Sequence, residues 1–241
     1  MIRAVLFDYG GTLVRPLRPW EEAKPAAVAA PYNLLRRRGL EASFSEYMRF
    51  NDSIFEMYTE LDEQTGSDTP DIVKYREIVA AFFPNRPKAW RERVAISADN
   101  VFWDAFAANF VLQKGARRCL AELRSKKLKQ AVVSNHHNEE ALYKHLTKLG
   151  LKSYFSPIIV SSRVGFRKPD LRIFAMCLST LRVHAPEAVF VGDSMQYDVE
   201  GAKRAGMTTI LIGDDGRSYK RSKPDFTVAS LSEVPEIVSS L

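Results

Sequence analysis

Four short stretches of this chain carry side chains that could act together on an anion. They are Asp8-Tyr9-Gly10-Gly11-Thr12, Ser134-Asn135, Gly165-Phe166-Arg167-Lys168-Pro169-Asp170, and Gly192-Asp193-Ser194 with Asp198 a little further on. Carboxylates gathered at one site repel each other and are expensive to desolvate. A hard divalent cation relieves that repulsion, and an all-oxygen donor set such as Asp8, Asp193 and Asp198 suits Mg²⁺. A cation held there can also bridge the carboxylates to a phosphate oxygen. Lys168 adds positive charge and Ser134 adds a donor. Gly10 and Gly11 bare backbone N–H groups that can form an anion-binding nest. Positioning and charge neutralisation around a spread-out anion are what phosphoryl transfer demands. Taken singly, each piece is ordinary: an Asp193 helix cap, a Ser-Asn turn, a solvated Lys168, a tight Gly-Gly turn. Their joint occurrence in order is the specific signal.

These residues need elements to place them on one edge. Ala4-Val5-Leu6-Phe7, Gln130-Ala131-Val132-Val133, Ile158-Ile159-Val160, Ala188-Val189-Phe190-Val191 and Thr209-Ile210-Leu211-Ile212 read as strands, with Phe226-Thr227-Val228 as a last edge strand. Helices are expected between them, over Gly115 to Leu128, Glu139 to Leu149, Asp170 to Leu181 and Val199 to Ala205. Continuous apolar strands with helical crossovers mean a parallel sheet covered on both faces. Ligands bind beyond the carboxyl ends of such strands, and the four stretches sit there.

Residues 15–112 differ. They hold 15 of the chain's 26 aromatic residues and carry a charge balance of −2, against +8 for the remainder. Tyr47, Phe50, Ile54, Tyr58 and Leu61 step at helical spacing, as do Phe102, Phe106 and Phe110. The segment therefore reads as a helical bundle inserted after the first strand, with most of these aromatics in its core and one or two facing a ligand. Pro25 and Pro31 interrupt its first helical stretch.

The motifs resemble those of the haloacid dehalogenase superfamily of hydrolases, and the likeness spans nearly the whole chain. Phe7-Asp8-Tyr9-Gly10-Gly11-Thr12-Leu13 is similar to the first family motif, Val132-Val133-Ser134-Asn135 to the second and Gly165 to Asp170 to the third. Val191 to Ala202, which includes Asp193 and Asp198, is similar to the fourth and is the most specific. The resemblance implies an α/β fold: a Rossmann-like doubly wound parallel sheet core from residues 1–14 and 113–241, with an inserted α-helical cap domain at 15–112, as in the subfamily I type. It implies a Mg²⁺-dependent phosphatase acting on a small phosphorylated metabolite. Asp8 would be the nucleophile, forming an aspartyl-phosphate. Asp8, the Gly10 carbonyl and Asp193 would hold Mg²⁺, with Asp198 acting through a metal-bound water. Gly10, Gly11, Ser134, Asn135 and Lys168 would hold the phosphoryl group, and Thr12 would orient the first loop.

The chain departs from the family at one point. Most family phosphatases carry a second aspartate, the general acid and base, two residues after the nucleophile, and here that position is Gly10. His136 and His137 are substitutes in principle, though in Asn135-His136-His137-Asn138 they read as exposed helix-start residues. The alternatives are a 2-haloacid dehalogenase, a phosphonate hydrolase with a cap lysine (Lys24, Lys74 or Lys88), and a catalytically silent binding or regulatory module. Asp193 counts against the dehalogenase, as does Phe174 where dehalogenases tend to carry tyrosine.

The 241 residues are 46% hydrophobic and 27% charged, an ordinary globular balance. No apolar run is long enough to span a membrane, and the first residues lack a secretory h-region. Cys119 and Cys177 make no disulfide framework and read as core residues, so a cytoplasmic setting is expected. The net charge is +6, with basic clusters at Arg36-Arg37-Arg38, Arg124 to Lys129 and Arg217 to Lys223. These lack interleaved aromatics, so they read as solvated surface rather than a nucleic-acid face, and the field equally suits a small anionic substrate.

Overall fold

The computed structural model describes residues 1–213 and 223–241. The chain begins with strand β1 (Ala4–Phe7) and a short strand β2 (Val14–Pro16). Four helices follow: α1 (Trp20–Arg36), α2 (Phe44–Thr65), α3 (Asp71–Phe82) and α4 (Lys88–Ala107). After β3 (Phe110–Leu112) come α5 (Ala116–Ser125), β4 (Lys129–Ser134), α6 (Glu139–Lys148), β5 (Ile158–Val160), α7 (Ser161–Val164) and α8 (Leu171–Leu181). The chain finishes through β6 (Ala188–Gly192), α9 (Glu200–Arg204), β7 (Thr208–Ile212), β8 (Phe226–Val228) and α10 (Val234–Ser240).

Six strands form one sheet in the order β5-β4-β1-β6-β7-β8, and every pairing is parallel. β1 lies near the centre, and all four of its side chains are fully buried. The pleat sends them to opposite sides. Val5 and Phe7 enter a core with Leu120, Leu146, Val132 and Val191, while Ala4 and Leu6 enter a second with Ile173, Phe174, Val133 and Phe190. A strand buried on both faces has no polar side to alternate with, so it reads as a continuous apolar run. Each large side chain so buried contributes about 1.5–3 kcal/mol. Cys119 and Cys177 are free and buried, one in each core.

Phe7 pairs with both Val132 and Val191, so the carboxyl ends of β1, β4 and β6 lie nearly level. Several boundaries differ from the sequence reading. The helix expected over Gly115 to Leu128 spans Ala116–Ser125, and two others lie beside the motif stretches. The helix after Pro169 starts at Leu171, because the Asp170 side chain accepts the Arg172 N–H at 2.8 Å and caps it. The helix expected from Val199 starts at Glu200, after a π-helical turn over Met195–Val199.

α1 to α4 pack around their own core of Leu35, Tyr47, Tyr75, Ile78, Val94 and Phe102. α1 runs unbroken through Pro25 and Pro31, contrary to the expected interruption. Its buried face of Ala27, Val28, Pro31, Leu34 and Leu35 outweighs the backbone hydrogen bonds that proline removes. α2 is stopped at both ends by its sequence, with a Ser43–Glu46 capping box at the start and left-handed Gly66 at the end. Its seam fades along its length, from fully buried Tyr47 to Leu61 at 46% exposure. Phe110 does not continue the helical spacing of Phe102 and Phe106. It stands in β3, which pairs antiparallel with β2 and joins the two ends of the inserted segment. Of the basic clusters, Arg217 to Lys223 lies outside the described residues except for Lys223.

Candidate active site

Asp8 follows β1 directly, and its N–H donates to the Val191 carbonyl at 2.9 Å, which ties it to β6. Lys168 is buried, and its Nζ donates to Asp8 Oδ1 and to Asp198 Oδ1, each at 2.6 Å. The loop bearing Lys168 is clamped by Asn135. The Asn135 amide donates to the Lys168 carbonyl at 3.0 Å and accepts the Lys168 N–H at 2.8 Å, so this side chain serves to place Lys168. The other oxygen of Asp198 accepts the N–H groups of Asp193 and Ser194 at 3.1 and 2.9 Å. Both Asp198 oxygens are thus engaged. Thr12 is buried and donates its hydroxyl to Asp193 Oδ1 at 3.2 Å.

Two glycines make this closeness attainable. Gly11 has φ +82°, and a β-carbon there would lie 2.1 Å from an Asp193 carboxylate oxygen. A β-carbon at Gly192 would lie 2.4 Å from the Asp198 carboxyl group. Gly10 is not so constrained. Its φ is not positive, and a β-carbon there would meet nothing within 4 Å.

Asp8, Asp193 and Asp198 each offer an oxygen within 4.8 Å of the others. Burial pushes the Asp8 carboxyl up to about 8; Lys168 opposes this, and the two other carboxylates add to it. Burial and Asp198 push Asp193 up to about 6, against Lys168 and Thr12. Burial alone would depress Lys168, but Asp198 and Asp8 outweigh it and hold the ammonium above its usual range. One lysine therefore leaves three carboxylates undercompensated. An oxygen donor set with surplus negative charge fits a hard divalent cation.

The acidic cluster forms the floor of a cavity of about 360 Å³, which Ser134 also lines. Trp103, Phe106 and Phe110 from the inserted segment wall it, with Tyr9, Tyr197, His136, His137 and Arg167 from the sheet side. The spacing of Phe102, Phe106 and Phe110 was the one spacing signal for this wall; Trp103 was one aromatic of the insertion among many, and Tyr9, Tyr197 and Arg167 sat inside motif stretches with no role assigned to them. His136 corrects the reading of exposed helix-start histidines. It is buried and packs against Trp103 with ring centroids 4.2 Å apart and planes tilted by 32°, and its backbone N–H donates to Ser161 Oγ at 2.9 Å. Burial and His137 pull its imidazole down to about 3, so it is neutral. Tyr9 is hydrogen-bonded to His145 behind it. None of the three candidate Schiff-base lysines lines this cavity. Lys24 pairs with Asp52 at 2.9 Å, Lys74 is buried against Asp71 at 2.8 Å, and Lys88 opens α4. Phe174 is packed on Phe190 away from the cavity.

A family model described as haloacid dehalogenase-like hydrolase matches residues 2–206. Among curated relatives, a glyceraldehyde 3-phosphate phosphatase of Methanopyrus kandleri is 28% identical, covering 100% of this chain and 99% of the relative. A ribulose-1,5-bisphosphate 5-phosphatase of Halopiger xanaduensis is 27% identical over 99% and 100%. A phosphoserine phosphatase of Thermus thermophilus is 31% identical over 91% and 78%. A solved 2-haloacid dehalogenase from Pseudomonas syringae superposes with a TM-score of 0.77 at 22% identity, over 100% of this chain and 99% of that one. At that identity the likeness shows the fold alone.

Proposed function

This chain belongs to the haloacid dehalogenase-like hydrolases, and we propose that it is a Mg²⁺-dependent phosphatase acting on a small phosphorylated metabolite through an aspartyl-phosphate on Asp8. Asp8 attacks phosphorus with the carboxylate oxygen that Lys168 leaves free. Lys168 aims Asp8 and favours its ionised form, which the charge of a bound cation would complete. With Ser134 and the Gly10 N–H it holds the phosphoryl oxygens; the Gly11 N–H, expected to be bared, instead donates to the Val14 carbonyl at 2.7 Å. Asp8, the Gly10 carbonyl and Asp193 would hold Mg²⁺, with Asp198 behind them as an outer partner. When bound, the ion would supply positive charge to the phosphate oxygens. Asp198 steadies Lys168, and Thr12 steadies Asp193. As the Asp8–phosphorus bond forms, the phosphorus–oxygen bond to the leaving group breaks and the departing alcohol takes its proton from water. A second water then hydrolyses the acyl phosphate, releasing inorganic phosphate and freeing Asp8. Residues 15–112 act as the cap that walls the cavity and excludes solvent.

The observation that carries this reading is buried Lys168 bridging Asp8 and Asp198, with Asp193 beside them. The relatives named as phosphatases support it. Two free, buried cysteines support a cytoplasmic setting, and no helix among the described residues is long and apolar enough to cross a membrane.

The test is phosphate release from a panel of phosphorylated metabolites, run with Mg²⁺ and with EDTA. Turnover only with Mg²⁺, abolished in Asp8→Asn of unchanged fold, is expected. Halide release from 2-haloacids in EDTA would instead identify a dehalogenase. Mg²⁺ binding without any turnover would identify a silent module.

A further inference from the structure

The walls of the cavity narrow the substrate class. Building on the phosphatase reading, we infer that the leaving group is apolar, not a polyhydroxylated sugar. Beyond the acidic floor, the leaving group meets mainly ring faces. Trp103 lies 5.0 Å from Phe106, and Phe106 lies 4.8 Å from Phe110, centroid to centroid. These rings are backed, which fixes their positions: Trp20 packs on Phe106 at 5.5 Å, and Phe102 stacks on it at 6.1 Å. His136 adds a further flat, neutral face, and its Nδ1 already accepts the Asn138 N–H at 3.2 Å. Sugar hydroxyls placed among these groups would lose water and find few partners.

Besides Lys168 on the floor, Arg167 is the other cation among the described lining residues, and it does not reverse this. Arg167 lies 3.9 Å from buried Asp68, and its guanidinium sits over the Tyr197 ring at 5.5 Å. Its Nε makes no hydrogen bond, but the Asp68 carboxylate offsets its charge and weakens its pull on a second anionic group of the substrate. A volume of about 360 Å³ admits a phosphoryl group and an aromatic ring.

Benzyl phosphate and glycerol 3-phosphate test this, because both release a primary alcohol and so differ mainly in what the wall touches. With Mg²⁺ present, kcat/KM for benzyl phosphate is expected to exceed that for glycerol 3-phosphate by about tenfold or more. Trp103→Ala should shrink that ratio mainly through KM for benzyl phosphate. Because Trp103 also belongs to the insertion's core, half-buried Phe110→Ser is measured beside it, with circular dichroism to confirm the fold. Equal or better turnover of glycerol 3-phosphate overturns the inference and leaves the phosphatase reading standing. A ratio unmoved in folded Phe110→Ser also overturns it. Failure of both substrates and of p-nitrophenyl phosphate overturns the phosphatase reading beneath it.

Discussion

Asp193 and Asp198 are both acidic and close in sequence, yet they do different things. Asp193 has one weak partner, Thr12, whereas Asp198 is saturated by Lys168 and two backbone N–H groups. Asp193→Ala should therefore remove most Mg²⁺ affinity at little cost in stability, since it relieves like-charge repulsion. Asp198→Ala should cost about 3–5 kcal/mol, the range for breaking a buried ion pair, and lower Mg²⁺ affinity less. Titration calorimetry with Mg²⁺ and chemical denaturation of both variants decide this; a larger affinity loss in Asp198→Ala would reverse the ligand assignment. Gly10 raises a separate question, because a positioned general acid supplies roughly 10²–10⁴-fold in rate. Without one at that position, single-turnover rates should fall steeply as the leaving-group pKa rises across a series of monoesters. Gly10 has no positive φ and has room for a β-carbon, so the backbone admits Gly10→Asp, which should flatten the slope. A flat wild-type dependence would instead point to a proton donor elsewhere in the cavity.

At the scale of elements, the inserted helices are joined to the sheet by polar contacts as well as by packing. Asn138 caps α6 by accepting the Ala141 N–H at 2.8 Å and also donates to Asp99 of α4 at 3.0 Å. Burial and nearby Asp71 push the Asp99 carboxyl up to about 7, while Asn138, Trp103 and Lys74 pull it down. A raised pKa means that the folded state holds this proton more tightly than the unfolded chain does. Its contribution to stability is full below about pH 4 and is lost as pH rises through about 7. Asp99→Asn keeps an acceptor for Asn138 and removes the titration. Thermal unfolding at pH 5 and pH 8 should show a flatter profile for the variant and a gain on the order of 1–3 kcal/mol at pH 8. Equal pH dependence in both proteins would remove Asp99 from the account.

For the whole molecule, Asp68 is the deepest tie between the inserted segment and the sheet. Its Oδ2 accepts the Ser161 hydroxyl at 2.7 Å, and its Oδ1 faces His137 at 3.5 Å and Arg167 at 3.9 Å. The Asp71 N–H adds a bond to the His137 carbonyl at 3.1 Å. Asp68→Ala would leave Arg167 on the cavity wall without its counter-charge. The expected result is KM raised several-fold with a smaller change in kcat, and a stability loss of about 1–3 kcal/mol. Steady-state kinetics with a phosphate monoester and a melting curve test both; unchanged KM would show that the tie does not shape the cavity.

The alternating strand and helix pattern, and three of the four motif stretches at strand ends, were legible from the sequence alone; the Lys168 stretch instead follows the short helix α7 after β5. The physical reason is local: a doubly covered strand such as Ala4–Phe7 must be apolar throughout, and its polar successor must emerge at the sheet edge. The pairing of Lys168 with both Asp8 and Asp198 needed the sheet, because parallel register brings together residues 160 and 30 positions apart. The aromatic wall depended still more on tertiary structure. Trp103 looked like one more core residue of a helix, and His136 like an exposed residue at a helix start. Only their packing across the boundary between insertion and sheet makes them neighbours in the cavity, and no spacing within either segment encodes that contact.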